Sequence, residues 1–293
     1  GQNSPLPAAP GFTALPTTAQ QLATGQPIAD IAAGWDGTHW AVDALGVAHV
    51  YEPMQQQWTP FGKGVDAATV IGPTFYLFRD DEVAFGDPTA GPLTVQPIAQ
   101  VWPGLPPTFT SDLDGAFANG SVIYLCRGGR YVFADLSSAP VTFSQPAPLN
   151  TWPGWPGNDP WSQGAVAKTA TWIDDRIGAA ALFFPVQTPP SEYVYSYLMQ
   201  GGSATTQPST QLGNFIPSLL APQLADLLTS NSFDAYVAHI TTDNITYTAW
   251  VFDGPVIWSQ SSSDQGSGPA VAAALASWVP AWEPALSQAP RGR

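Results

Sequence analysis

The stretch Asp114-Gly115-Ala116-Phe117-Ala118-Asn119-Gly120-Ser121-Val122-Ile123-Tyr124-Leu125-Cys126-Arg127-Gly128-Gly129-Arg130-Tyr131 decides the fold, because the chain says nearly the same thing earlier. The earlier copy runs Asp66-Ala67-Ala68, then Phe75-Tyr76-Leu77-Phe78-Arg79, then Phe85. Each copy places an acid before a pair of small residues, then an apolar strand, a short polar turn and a second aromatic strand. Self-similarity of this kind marks a repeat architecture, whose units must stack on neighbours to bury their apolar faces. The repeats predict an all-β chain, a β-propeller of four-stranded antiparallel blades, four or five in number, with short helical insertions.

Working outward, a related unit opens at Asp30-Ile31-Ala32-Ala33 and continues through His39-Trp40-Ala41-Val42 and Ala48-His49-Val50-Tyr51. A fourth opens at Gly164-Ala165-Val166, and a fifth, less regular in spacing, at Asp234-Ala235-Tyr236-Val237, with strands expected at Thr246–Phe252 and Val256–Trp258. Between units lie Trp102-Pro103-Gly104-Leu105-Pro106 and Trp152-Pro153-Gly154-Trp155-Pro156. Proline cannot donate to a ladder, so these segments belong to outer edges and crossings. Residues 1–26 read as an extended arm, 27–260 as the propeller, and 261–293 as a linker and C-terminal helix over Ala270–Trp278 with a tail packing on it. Segment 218–228 has apolar residues at helical spacing and reads as a short inserted helix.

The chain has 293 residues, only 10% of them charged, with 8 Lys+Arg against 22 Asp+Glu and a net charge of -14. No basic stripe exists for a polyanion, which argues against nucleic acid and anionic membrane surfaces as partners. No apolar run is long enough for a transmembrane segment, and Gly1-Gln2-Asn3-Ser4-Pro5 has neither the charge nor the apolar core of a signal peptide. The 31 prolines and 27 glycines, the few bases, and the sequons at Asn119 and Asn244 point to a secreted protein. The one cysteine, Cys126, stands where the sister copy has Phe78, and reads as a small core residue.

The Asp-Ala-Ala, Tyr-Leu-Phe-Arg and Trp-Pro-Gly-Leu-Pro phrases resemble hemopexin repeats, and the first unit, with Gly37-Thr38-His39-Trp40 and Trp58, also resembles a tectonin-type lectin blade. The resemblance implies a propeller with the Asp-Ala-Ala strands lining the axis, and a cation in the axial channel held through the first residues of each blade. The matching positions are Asp30, Asp66 and Asp114, with Gly164 or Asp234 in the remaining place; calcium or another hard cation suits such an oxygen-rich ring. A lone cysteine removes the disulfide that often closes four-bladed members, so closure falls to packing or to strands from both chain ends. With only His39, His49 and His239, haem is not expected.

No catalytic phrase stands out: there is no HExxH for zinc, no G-x-S-x-G, no P-loop and no dinucleotide fingerprint. Asp174-Asp175 and Asp80-Asp81-Glu82 sit at turn positions and read as solvated loops. Most of the 12 tryptophans suit the wedge-shaped gaps between blades, but Trp35, Trp102, Trp152, Trp155 and Trp161 lie beside turns and Pro-Gly corners. Indole faces exposed there would stack on sugars or apolar ligands. The leading reading is a non-enzymatic ligand-binding propeller recognising a glycan or a protein surface. The alternative is an enzyme whose aromatic pocket folds an apolar small molecule for cyclisation, gaining rate from orientation and desolvation.

Overall fold

The computed structural model describes residues 64–155, 166–174, 178–185, 194–199, 204–208, 233–240, 247–263 and 266–282, and the backbone of strands at 28–33, 39–43, 48–52 and 57–60. The chain divides into two compact units, residues 1–63 with 284–293, and residues 64–283. In the first, strands β1 (Ile28–Ala33), β2 (His39–Asp43), β3 (Ala48–Glu52) and β4 (Gln57–Pro60) form an antiparallel meander in chain order.

The second unit opens with two sheets of the same plan. One is β5 (Ala67–Ile71), β6 (Thr74–Arg79), β7 (Glu82–Gly86) and β8 (Thr94–Pro97); the other is β9 (Gly115–Asn119), β10 (Val122–Arg127), β11 (Arg130–Asp135) and β12 (Ala147–Pro148). The repeated phrases fall at equivalent places. In β6, Phe75, Leu77 and Phe78 are buried; in β10, Ile123, Leu125 and Cys126 are buried in the same rhythm. Cys126 fills the core position of Phe78, and its thiol is pushed far up by burial, as befits an inert packing group.

Next come β13 (Val166–Asp174), β14 (Gly178–Pro185), β15 (Val194–Met199) and β16 (Ala204–Pro208), then β17 (Ala235–Ile240), β18 (Tyr247–Asp253), β19 (Val256–Ser263), β20 (Gly266–Ser267) and β21 (Val271–Ala274). The inner strands follow one another around a ring: β5 lies beside β9, β9 beside β13, β13 beside β17, and β17 returns to β5. The ring therefore closes with four blades inside residues 64–283.

The junctions between blades are made in different ways. Strands β13 and β17 pair in parallel, Ala170 opposite Tyr236 through Asp174 opposite Ile240, which fuses two blades into one nine-stranded sheet. Between β9 and β13 a side chain does the joining. The buried Thr169 hydroxyl accepts from Ala116 N–H at 3.1 Å and donates to Ala116 O at 3.2 Å. This explains why the second copy reads Asp-Gly-Ala rather than Asp-Ala-Ala: a Cβ on Gly115 would stand 2.3 Å from Thr169 Cγ2.

The wedges between blades hold the core. One cluster joins Ala67, Phe78, Ile98 and Trp102 to Leu105, Phe109, Ala116, Ile123 and Leu125. A second places Phe117, Leu149, Trp152, Trp155 and Phe183 together. A third seals the ring, packing Val65, Ala68, Val70, Phe75 and Leu77 against Val237, Phe252, Leu275, Val279 and Trp282. Closure thus comes from packing, one of the two routes open to a chain with a lone cysteine.

Each of three outer strands ends in a single helical turn that dips back into these wedges. The turns are α1 (Ile98–Val101), a 3-10 turn at Leu149–Thr151, and α2 (Leu275–Trp278). Their first N–H groups donate to the tip of the preceding hairpin: Ile98 to Asp81 O at 2.8 Å, Leu149 to Gly129 O at 2.8 Å, and Leu275 to Pro255 O at 2.7 Å. The apolar stretch Ala270–Trp278, expected as a helix beyond the propeller, is instead strand β21 followed by this turn. Its residues pair along β19, Ser259 with Val271 through Val256 with Ala274, because the ladder outweighs the modest helix preference of alanines. The segment expected at 218–228 lies outside the described residues.

Candidate functional site

Three of the four aspartates expected at the axis do the same local work. Asp66, Asp114 and Asp234 stand one residue before β5, β9 and β17, and each main-chain N–H donates to its neighbouring strand, at Phe78 O (2.7 Å), Cys126 O (2.9 Å) and Phe252 O (2.7 Å). Each Oδ2 then accepts the first N–H of the hairpin tip: Asp80 at 2.6 Å, Gly128 at 2.5 Å, Gly254 at 2.8 Å. Those three tip residues share a left-handed backbone, with φ of 55°, 56° and 54°. Glycine takes this conformation freely and aspartate tolerates it. The acid of the repeat is therefore a staple between the start of the inner strand and the turn that caps the next two strands.

These staples converge. A cavity of about 330 Å³ at this end of the ring is lined by Val65, Asp66, Asp112, Leu113, Asp114, Lys168, Phe233 and Asp234. Three of the four acids expected at the axis are thus brought to one place; Asp30 lies on β1 in the other compact unit, and its side chain is outside the described residues. The position expected of Gly164 is likewise outside them, and the fourth blade contributes Lys168 of β13 instead.

Lys168 gives the cavity its one ammonium among the described residues. Nζ donates to Phe233 O and lies 4.4 Å from the centre of the Phe233 ring. Burial pushes its pKa below the ordinary lysine value, while Asp234 and Asp253 oppose that shift. The carboxyls answer in kind. Burial raises Asp114, opposed by the Gly128 N–H and by Arg127 and aided by Asp112 and Asp66. Asp253 is pushed up to about 6, by burial first and by Asp234 second, with Lys168 pulling the other way.

A hard cation finds a poor donor set here. A lysine ammonium lines the same cavity, and among the described residues no three His, Cys, Asp or Glu side chains gather closely enough to hold a metal ion. What the cavity offers is a set of charged acceptors for hydroxyl or amine donors, with one charged donor beside them.

Of the five tryptophans expected to face ligand, the three that the structure describes are buried instead. Trp102 and Trp152 are 5% exposed and Trp155 is 9% exposed. Trp102 stacks on Tyr76 and meets Phe143 edge-on; Trp152 and Trp155 both meet Phe183 edge-on. The Pro-Gly corners beside them are exposed, but the rings themselves turn into the wedge and serve the core. Trp35 and Trp161 lie outside the described residues. Sequence reasoning missed Lys168, Asp112 and Asp253; the signal available was a lone base at the start of an apolar strand in a chain with so few bases.

No family model matches the sequence, and no curated protein matches it. Solved structures do resemble its fold. A hemopexin fold protein, CP4, from cow pea aligns with a TM-score of 0.50 at 14% identity, covering 78% of this chain and 99% of that one. A plant lectin with two metal binding sites from Cicer arietinum aligns with a TM-score of 0.52 at 13% identity, again over 78% and 99%. LS24, a seed albumin from Lathyrus sativus, aligns with a TM-score of 0.51 at 12% identity over 74% and 94%. Together with the four-stranded sheets and the closed ring, these likenesses show an all-β propeller that shares its fold with hemopexin-fold proteins.

Proposed function

We propose that this chain is a non-enzymatic binding propeller of a secreted protein, and that the acid-lined end of its ring takes a polyhydroxylated ligand, a glycan. The observation that carries the reading is the convergence of Asp66, Asp112, Asp114 and Asp234 on one cavity with Lys168 beside them. Ionised carboxylates have several acceptor sites each, so a group already accepting one main-chain N–H keeps capacity for sugar hydroxyls. Charge-assisted hydrogen bonds of this kind are roughly twice as strong as neutral ones. The plant lectin among the structural neighbours supports the class of ligand, though the tryptophan stacking expected from the sequence has no part in it. Trp102, Trp152 and Trp155 are likewise buried in the wedges and would not line the aromatic pocket of a cyclising enzyme.

The test is calorimetric titration of the full chain with a panel of simple sugars and short oligosaccharides, with and without calcium. Saturable binding to at least one sugar is expected, weakened about tenfold in Asp112→Asn. Asp112 is suitable because its side chain is 63% exposed and is not one of the staples. No sugar bound at millimolar concentration in either condition overturns the proposal. Binding seen only with calcium would return the aspartates to the role of ion ligands.

A further inference from the structure

The β10–β11 hairpin sets two like charges face to face. Arg127 and Arg130 stand directly opposite each other across the turn Gly128-Gly129. Like charges so placed are destabilising. They are also two of only eight basic residues in a chain of net charge -14. The equivalent hairpin, β6–β7, opposes Arg79 with Glu82. There the space beside the hairpin is filled: the Arg79 guanidinium lies 4.4 Å from the centre of the Trp282 ring, and Trp282 Nε1 donates to Glu82 Oε2 at 2.7 Å. Beside the β10–β11 hairpin lies a cavity of about 580 Å³ instead, lined by Thr108, Phe109, Arg127, Gly128, Arg130 and Pro146. That volume falls within the range of roughly 300–1,000 Å³ typical of small-molecule sites.

The two guanidiniums are held differently. Arg127 is anchored, its Nη1 donating to Thr108 O at 3.0 Å and Ser111 Oγ at 2.9 Å, and its Nη2 forming an ion pair with Asp112 at 3.0 Å. Arg130 is exposed and donates from Nη2 to Pro146 O at 3.0 Å. It forms no ion pair among the described residues. A guanidinium has five N–H donors in a planar fork that matches a carboxylate. One positively charged fork without a counter-charge among the described residues, at the rim of a cavity that also presents Pro146 and the stems of two arginines, suits an anion with a small apolar body.

We propose that this cavity is a binding site for a small organic acid, its carboxylate received by Arg130 with Arg127 alongside, and its apolar portion set against Pro146 and the aliphatic stems of the two arginines. The site is separate from the acid-lined end of the channel; Asp112 lines that cavity and holds Arg127 in this one.

The experiment titrates the full chain with benzoate, with uncharged benzamide and with inorganic sulfate, following heat and the Arg130 side-chain N–H signal by NMR. Benzoate is expected to bind saturably and more weakly as sodium chloride is raised. Benzamide should bind about tenfold more weakly, and Arg130→Gln should lose about tenfold in benzoate affinity with a melting temperature no lower than that of the wild type. Pro146→Ser, which keeps both arginines and the carbonyl that Arg130 bonds, should weaken benzoate while leaving sulfate as it was. Unchanged benzoate affinity in Arg130→Gln, absence of saturable binding, or sulfate binding as tightly as benzoate overturns the proposal, the last by reducing the site to one for any simple anion.

Discussion

The junction that closes the ring and the junction one step further round present the same hairpin in two states. At the closing junction, Arg79 and Glu82 grip Trp282, partners 203 and 200 residues away in sequence. Arg79 also donates to the Trp282 carbonyl at 3.2 Å, and Leu93 N–H donates to Trp278 O at 2.8 Å. At the next junction, Arg127 reaches only 19 residues back to Thr108 and 15 to Asp112, and Arg130 opposes it with like charge. The difference follows from chain connectivity. Consecutive blades are joined by a short covalent segment, whereas bringing the two ends of the ring together costs loop-closure entropy that side chains must offset. Where the chain itself supplies the join, the hairpin is released from that duty and can carry surplus charge.

If closing contacts matter more than internal ones, the largest loss will come from Trp282→Ala. The side chain is 4% exposed and packs with Phe75, Leu77 and Leu275, so removal should cost about 3–5 kcal/mol by denaturant unfolding. Arg127→Ala, which removes hydrogen bonds from a half-exposed group, should cost about 1–2 kcal/mol. Equal losses would erase the distinction between the two junctions.

Backbone proximity gives the next test. A Cβ at Gly64 would stand 1.9 Å from Asp234 Oδ2 and 2.7 Å from Gly254 O, at the point where the first ring blade meets the last. A main-chain carbonyl yields little, so Gly64→Ala should cost about 2–3 kcal/mol. Gly115→Ala meets only the Thr169 side chain, and Thr169→Ala should relieve it. A double-mutant cycle should show coupling for that pair; strict additivity would mean the crowding at Gly115 is elsewhere.

A third test uses pH at the closing blade. Asp253 ends β18 in the register position that Arg79 and Arg127 hold in their blades. With its pKa pushed up to about 6, the folded protein binds this proton more tightly than the unfolded chain does. Stability therefore falls as pH rises from the ordinary carboxyl range through about 6, and the cost is fully present above that. Asp253→Asn should raise stability at pH 7.5 by about 2 kcal/mol and make no difference near pH 3.5. A substitution effect independent of pH would remove the charge of Asp253 from the account.

How much of this could be read from the chain depends on distance along it. The strand pairs of the β5 and β9 blades were legible because Phe75–Arg79 and Ile123–Arg127 repeat within one span of sequence, and Asp66, Asp114 and Asp234 marked the inner strands for the same reason. Their duty as staples was not legible, since an acid before a strand reads equally as a ligand or as an acceptor for a turn. The β17 blade was half hidden. Its outer strand and turn, Val271–Trp278, are written in alanines that favour a helix until β19 is there to pair with them. Trp102, Trp152 and Trp155 were misplaced because Pro-Gly corners usually mark surface, whereas here each corner leads a ring into a wedge. The grip of Arg79 on Trp282 is a product of closure, that of Lys168 on Phe233 of packing between neighbouring blades, and neither has a local signature.

The finest test converts one hairpin toward the other. Arg130→Glu would set opposite charges across Gly128-Gly129, as Arg79 and Glu82 stand across Asp80-Asp81. Exposed cross-strand pairs of opposite sign contribute roughly 0.2–1 kcal/mol, so a gain of about 0.5 kcal/mol is expected, read as a small rise in the denaturant midpoint at unchanged slope. Arg130→Gln separates the two contributions, because it removes like-charge repulsion and the bond to Pro146 O without adding attraction. The order of stability should run Glu, Gln, Arg at position 130, falling as the charge on the hairpin rises, while benzoate affinity runs the opposite way. Should the wild-type arginine prove the most stable of the three, its bond to Pro146 outweighs its repulsion from Arg127. The charge pair would then be an ordinary part of the fold, and the contrast between the two junctions would rest on Trp282 alone.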